Sequence, residues 1–175
     1  MKRKAKSIAA NDVRVGEDQS RWIVPATCLV YLASCALMIA GARGDLWLDE
    51  IWSILFAREA ERPIDVVLLT RLHHDNNHIL NTLFLKAIGD QRIVFVYRLL
   101  ALVSGAGSLC VVALLAKRWG SLEMLLSVLL TGTSYPLLLY FSEARGYAPA
   151  ILFGLLSYYL QEQNWRDFKA YRVPL

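Results

Sequence analysis

The sequence predicts an all-α fold, a multi-pass transmembrane helical bundle with interfacial helices in its first external loop, on three observations. Composition is the first: 56% of the 175 residues are hydrophobic, 19% are charged and the mean hydropathy is +0.38, too apolar for an ordinary soluble domain. Second, four apolar stretches approach the ~20 helical residues that cross a bilayer core of ~30 Å. Third, lysines and arginines gather at three flanks of those stretches, as they do on the cytoplasmic side of membrane proteins. The formal charge of +4 forms no basic patch interleaved with aromatics, so nucleic acid is not an expected partner. Cys28, Cys35 and Cys110 sit inside apolar runs without the paired spacing of a disulfide framework or zinc site.

The first expected span covers 22–42, uncharged, with Pro25 in its first turn, where a missing N–H costs little. A cleaved signal peptide competes with it, because Ala40, Gly41 and Ala42 resemble a cleavage site, but the apolar region is longer than a signal core and further spans follow. The second, 95–116, carries Arg98 near its start, placed to snorkel or to serve a polar site. The third, 122–141, has Glu123 in its first turn and Pro136 near its far end. The fourth, 147–160, is short and is followed by a cytoplasmic end, 161–175, expected to be truncated.

Lys2, Arg3, Lys4 and Lys6 precede the first span, Lys117 and Arg118 follow the second, and Arg166, Lys169 and Arg172 follow the fourth. Alternating spans then place residues 1–21, a flexible tail, in the cytoplasm and put the 43–94 loop and the 142–146 turn together outside. The outer loop, with eight acids against six bases, agrees. Within it, Trp47, Leu48, Ile51, Trp52, Ile54, Leu55 and Phe56 make a broad helical stripe over 46–60, suited to the membrane interface. After a break at Pro63 a second short helix is expected, and then an apolar segment ending at Gly89, too short to span.

Three polar clusters share this external face: Asp49 with Glu50, the HHDNNH run from His73 to His78, and SEARGY from Ser142 to Tyr147. Charge beside a membrane is costly unless it pairs or serves a site. A partly desolvated carboxylate suits a general base toward a hydroxyl, and the planar fork of Arg145 suits phosphate. These are parts for group transfer from a phosphate-linked donor. Blander readings stand beside this one. The acids would be favoured by ~0.3–1 kcal/mol at any helix N-terminus. Glu143 and Arg145 would simply pair at a span boundary. Lys117 and Arg118 would be topology anchors, and Trp47, Trp52, Trp119 and Trp165 interface belts, with Trp47 also able to line a sugar pocket. His74 and His78, at i and i+4, lack a third ligand fixed by spacing, so no metal site is expected.

WLDE just after the first span, NNHILNTLFL, RLLALVSGAGSLCVVALLAKRWG, and SEARGYA opening the fourth together resemble the N-terminal part of GT-C-type integral membrane glycosyltransferases. The similarity covers about 22–159 and lies toward the protein O-mannosyltransferase and aminoarabinose lipid A transferase branch. It implies transfer of a sugar from a polyprenyl-phosphate donor to a glycan, lipid or protein acceptor, with inversion, at the outer face of a bacterial inner membrane. By the same resemblance Asp49 is the catalytic base and Glu50 supports it or helps hold a divalent cation, the one cofactor considered. His78 meets the donor phosphate, flanked by Asp75 and Asn77. Glu143, Arg145 and Tyr147 bind the donor, and Arg98 matches an arginine that opens the second span. The chain departs from the pattern in having fewer spans than its relatives, with other membrane subunits as a way to complete it, and in having Ile79 where many relatives place proline after the histidine. The competing expectation is a non-catalytic partner subunit, transporter-like fragment or inactive truncation.

Overall fold

The computed structural model describes residues 2–68 and 78–170, with side chains described over 21–68 and 78–165. Among them the chain is helical throughout: α1 (Lys2–Gly41), α2 (Leu48–Glu59), α3 (Pro63–Leu68), α4 (Ile79–Ile88), α5 (Val94–Tyr97), α6 (Leu99–Ala116), α7 (Ser121–Thr133), α8 (Tyr135–Ser142) and α9 (Tyr147–Ala170). Two helical stretches, Arg21–Gly41 and Leu99–Ala116, are long and apolar enough to cross a membrane. They become three if the α7 and α8 pair, bent by 66°, is one span.

The expected boundaries differ from this in three places. The expected flexible tail continues α1 back to Lys2, over a segment, 2–20, with three Lys, three Ala and two Arg, which favour helix. Pro25 therefore lies inside the helix, where it offers no N–H to the carbonyl of Arg21. The expected third span is broken at Ser134, because Pro136 in the first turn of α8 cannot continue the hydrogen-bond ladder of α7. The expected fourth span forms the first part of α9, but its apolar run ends at Leu160 before Gln161, Glu162, Gln163 and Asn164, and α9 is not among the helices apolar enough to cross.

Helix α6 is central and packs on α1, α7, α8 and α9. Met38, Ala42, Leu109, Phe141 and Ala148 form the core there. Two glycines allow close approach: a Cβ on Gly105 would lie 2.7 Å from the Phe141 side chain, and one on Gly132 would overlap Ser34 of α1.

A second core joins the cap formed by α2–α4 to the rest of the bundle through Ile54 and Ala57 of α2, Leu85 of α4, Tyr97 and Ala144. Its elements follow the sequence closely. Pro63 opens α3, where the Asp65 carboxylate accepts from the Arg62 N–H at 2.8 Å. Gly89 ends α4 at φ 64, a conformation glycine adopts without strain. Arg58 pairs with Asp90 at 2.7 Å, and Lys86 donates to the Ala60 carbonyl, so the far ends of α2 and α4 are tied together.

Candidate functional site

The adjacent acids of α2 separate completely. Glu50 is 0% exposed and Arg98, at the hinge between α5 and α6, is 1% exposed. Arg98 Nε donates to Glu50 Oε1 at 2.8 Å and Nη2 to Oε2 at 2.6 Å. The remaining donors of Arg98 reach the carbonyls of Ala42 (3.0 Å), Gly44 (2.8 Å) and Asp45 (2.7 Å) at the end of α1. Glu50 also accepts from Trp47 N at 2.9 Å, half of a capping box, and from Ala144 N at 2.5 Å. All five guanidinium donors and four carboxylate acceptor positions are thus used, which is what allows a charge pair to be buried. One ion pair fixes the end of α1, the start of α2, the hinge before α6 and the turn before α9.

Arg98 was expected to snorkel or serve a polar site, and its guanidinium is instead buried and spent on structure. The four acceptor positions of the Glu50 carboxylate, expected to support Asp49 or help hold a cation, are occupied by Arg98, Trp47 N and Ala144 N. Among the described residues no three His, Cys, Asp or Glu side chains gather to hold a metal ion.

Asp49 points the other way. Its side chain is 44% exposed and pairs with Arg145, 18% exposed. Arg145 also reaches Glu143 at 3.2 Å and lies 5.6 Å from the centre of the Tyr147 ring. The bland expectation that Glu143 and Arg145 pair is therefore met, with Asp49 as a third member. Burial and the nearby Glu50 push the Glu143 carboxyl above its ordinary 4.5, partly opposed by Arg98.

His78 sits at the start of α4 with its ring edge-on to Tyr147, centroids 4.8 Å apart, and Tyr140 lies 4.7 Å from Tyr147 on another side. Gly146 makes room, because a Cβ there would strike the His78 side chain. Burial holds the His78 imidazole below its ordinary 6.5. Asp75 and Asn77, like His73 and His74, lie outside the described residues.

Three buried polar atoms around this turn have no hydrogen-bond partner among the described residues: His78 Nε2, Asn81 Oδ1 and Arg145 Nε. Asn81 is a residue the sequence reading missed. Its amide donates to the Ala144 carbonyl at 2.9 Å, next to the N–H that Glu50 holds. An asparagine on the apolar face of α4 was the signal available. Tyr140 was missed too, and nothing in its apolar surroundings marks it.

A cavity of about 610 Å³ opens beside the site, walled by Leu37, Leu46, Leu48, Tyr135 and Leu138, with Trp47 on its rim. Glu143, Ser142 and Arg98 supply its polar edge. Asp49 and Arg145 are not among its lining residues, so Glu143 is the link between the cavity and the exposed ion pair. Chemically the arrangement offers an accessible carboxylate, a guanidinium with a donor unused among the described residues, an imidazole biased toward its neutral form and a carboxyl biased toward its protonated form.

Comparison with family models, curated proteins and solved structures finds no match for this chain.

Proposed function

We propose that this chain is a membrane glycosyltransferase, or the N-terminal part of one, that takes a sugar from a polyprenyl-phosphate donor at the external face with Asp49 as general base. The observation that carries this reading is the meeting of Asp49, Arg145, Glu143 and His78 at one end of the bundle, with unsatisfied polar atoms among them. A buried polar atom without a partner costs ~1–3 kcal/mol, and three in one neighbourhood suit a polar ligand. In this reaction the acceptor O–H gives its proton to Asp49 and the oxygen attacks the anomeric carbon. The bond from that carbon to the phosphate oxygen breaks, and Arg145, with His78, receives the departing phosphate charge. An incoming phosphate competes with both carboxylates for Arg145, so donor binding itself frees Asp49 to act.

A multi-pass arrangement is part of the proposal, with α1, α6 and the α7–α8 pair crossing a bacterial inner membrane and the α2–α4 cap outside. Cysteines at exposed Arg43 and Glu61 are then expected to react with an impermeant maleimide from outside, and one at Trp119 is not. Equal labelling at all three sinks the topology.

The reaction is tested by giving membranes with the full chain radiolabelled polyprenyl-phosphate hexoses and pentoses and following release of polyprenyl phosphate. Asp49→Asn is expected to lower the rate by ~10²–10⁴-fold. An unchanged rate removes Asp49 as the base.

The bend at Ser134 favours a second reading, a non-catalytic or transporter-like membrane protein, since broken helices line transport sites. On that reading no donor is consumed by the wild-type chain.

A further inference from the structure

At the opposite end of the bundle a second cavity, about 580 Å³, lies between α1, α6 and α7. Its walls are Val24 and Leu32 of α1, Ala113 and Leu114 of α6, and Met124 and Val128 of α7, with Lys117 also lining it. The polar groups in those walls are turned onto the protein: Thr27 Oγ1 donates to the Ile23 carbonyl at 2.8 Å, and the Tyr31 hydroxyl to the Ala106 carbonyl at 3.4 Å. What remains is a slot with an almost wholly apolar lining, and Lys117, in the turn after α6, is among the residues that border it.

The two neighbouring cations at this end are used differently. Arg118 is half-buried, pairs with Glu162 of α9 and lies 4.6 Å from the centre of the Tyr159 ring. Lys117 is exposed and has no ion-pair partner among the described residues. Glu123, the nearest acid in sequence, turns toward Gly120 instead. The protein thus spends Arg118 on holding α9 and leaves Lys117 exposed beside the slot.

We infer that this slot is a binding site for an anionic phospholipid, with one acyl chain between α1, α6 and α7 and its phosphate on Lys117. An apolar cavity of this size with an exposed lysine bordering it matches an amphiphile with a long hydrocarbon tail and an anionic head. A zwitterionic lipid fills the slot equally well but brings its own cation to Lys117, so the site selects on head-group charge. The inference rests on α1 and α6 crossing a membrane and not on the sugar-transfer reaction. The cysteine-labelling experiment above reads that membrane placement separately.

The test uses the full chain in phosphatidylcholine nanodiscs with a phosphatidylglycerol carrying a photoactivatable diazirine on its acyl chain. Crosslinks are expected to concentrate on peptides around Val24–Leu32 and Cys110–Leu114. Unlabelled phosphatidylglycerol should compete about ten-fold better than phosphatidylcholine, the scale of one charge-assisted contact, and Lys117→Gln should abolish that preference. Leu114→Trp, which fills the slot and keeps the charge, should remove the crosslinks. Equal competition by the two lipids, an unaltered preference in Lys117→Gln, crosslinks spread evenly to residues such as Leu130 and Phe153, or competition by soluble glycerol phosphate would each overturn the site.

Discussion

Asp49 and Glu50 are neighbours in sequence and members of two opposite kinds of ion pair. Glu50–Arg98 is buried, with every donor and acceptor position filled by side chain or backbone. Asp49–Arg145 is partly exposed, shares its guanidinium with Glu143 and leaves Arg145 Nε without a partner among the described residues. A helix turns successive residues ~100° apart, so one of two adjacent carboxylates faces the bundle and the other does not. The inward acid is committed to holding four chain segments together, and the outward acid stays available to exchange partners. In the proposed reaction the chemistry of the pair therefore falls to Asp49, and Glu50 holds α2 and the Ala144 turn in place around it.

The largest expected effect comes from the inner pair. Arg98→Met leaves the Glu50 charge buried without its counterion and should cost about 3–5 kcal/mol in thermal or denaturant unfolding of the detergent-solubilised chain. Glu50→Met with Arg98→Met should recover a large part of that loss, because burying no charge is cheaper than burying one. A single Arg98→Met variant as stable as the parent would erase the distinction between the pairs.

Glu143 gives a smaller effect that depends on pH. Its raised pKa means the folded chain holds this proton more tightly than the unfolded chain, so stability falls as pH rises from about 4.5 toward the folded value. Glu143→Gln should flatten that slope and leave stability above it higher than in the parent. His78 acts with the opposite sign: its folded pKa is below 6.5, so its contribution is present above that pH and is lost as pH falls through the window below it. In His78→Asn the unfolding curve should lose part of its acid sensitivity. An unchanged pH profile in both variants would mean that neither group is desolvated by the packing around Tyr147.

The smallest effect on stability belongs to Asp49→Asn, about 0.2–1 kcal/mol, the range for a partly exposed pair. Taken with the large loss of transfer proposed for the same variant, it is the sharpest contrast with Arg98→Met. A loss above about 3 kcal/mol would make the outer pair structural as well.

Much of the cap was legible because its signals are local. The stripe over 46–60 marks α2 within two residues at its start and one at its end, Pro63 marks the entry to α3, and Gly89 the end of α4. The bend at Ser134 was also encoded, in Pro136, but an apolar run of span length outweighed it in reading 122–141 as one helix. The end of the last apolar run at Leu160 was visible, and whether it sufficed to cross was decided by the polar residues that follow it. For the candidate site, shared topology put Asp49, His78 and the Glu143–Arg145 pair on one face, but the spacing of residues did not show that Glu50 would turn inward to Arg98, and the asparagine on the apolar face of α4 went unread.

The sequence by itself determined the helical elements, the apolar stretches and the pool of polar residues at each end, since hydrophobic period, proline, glycine and charge act over a few residues. Only the tertiary structure decided which polar groups belong to each other. Glu50 finds Arg98 forty-eight positions away and the N–H of Ala144 ninety-four away, and the value of each charge depends on how completely those distant groups replace its water.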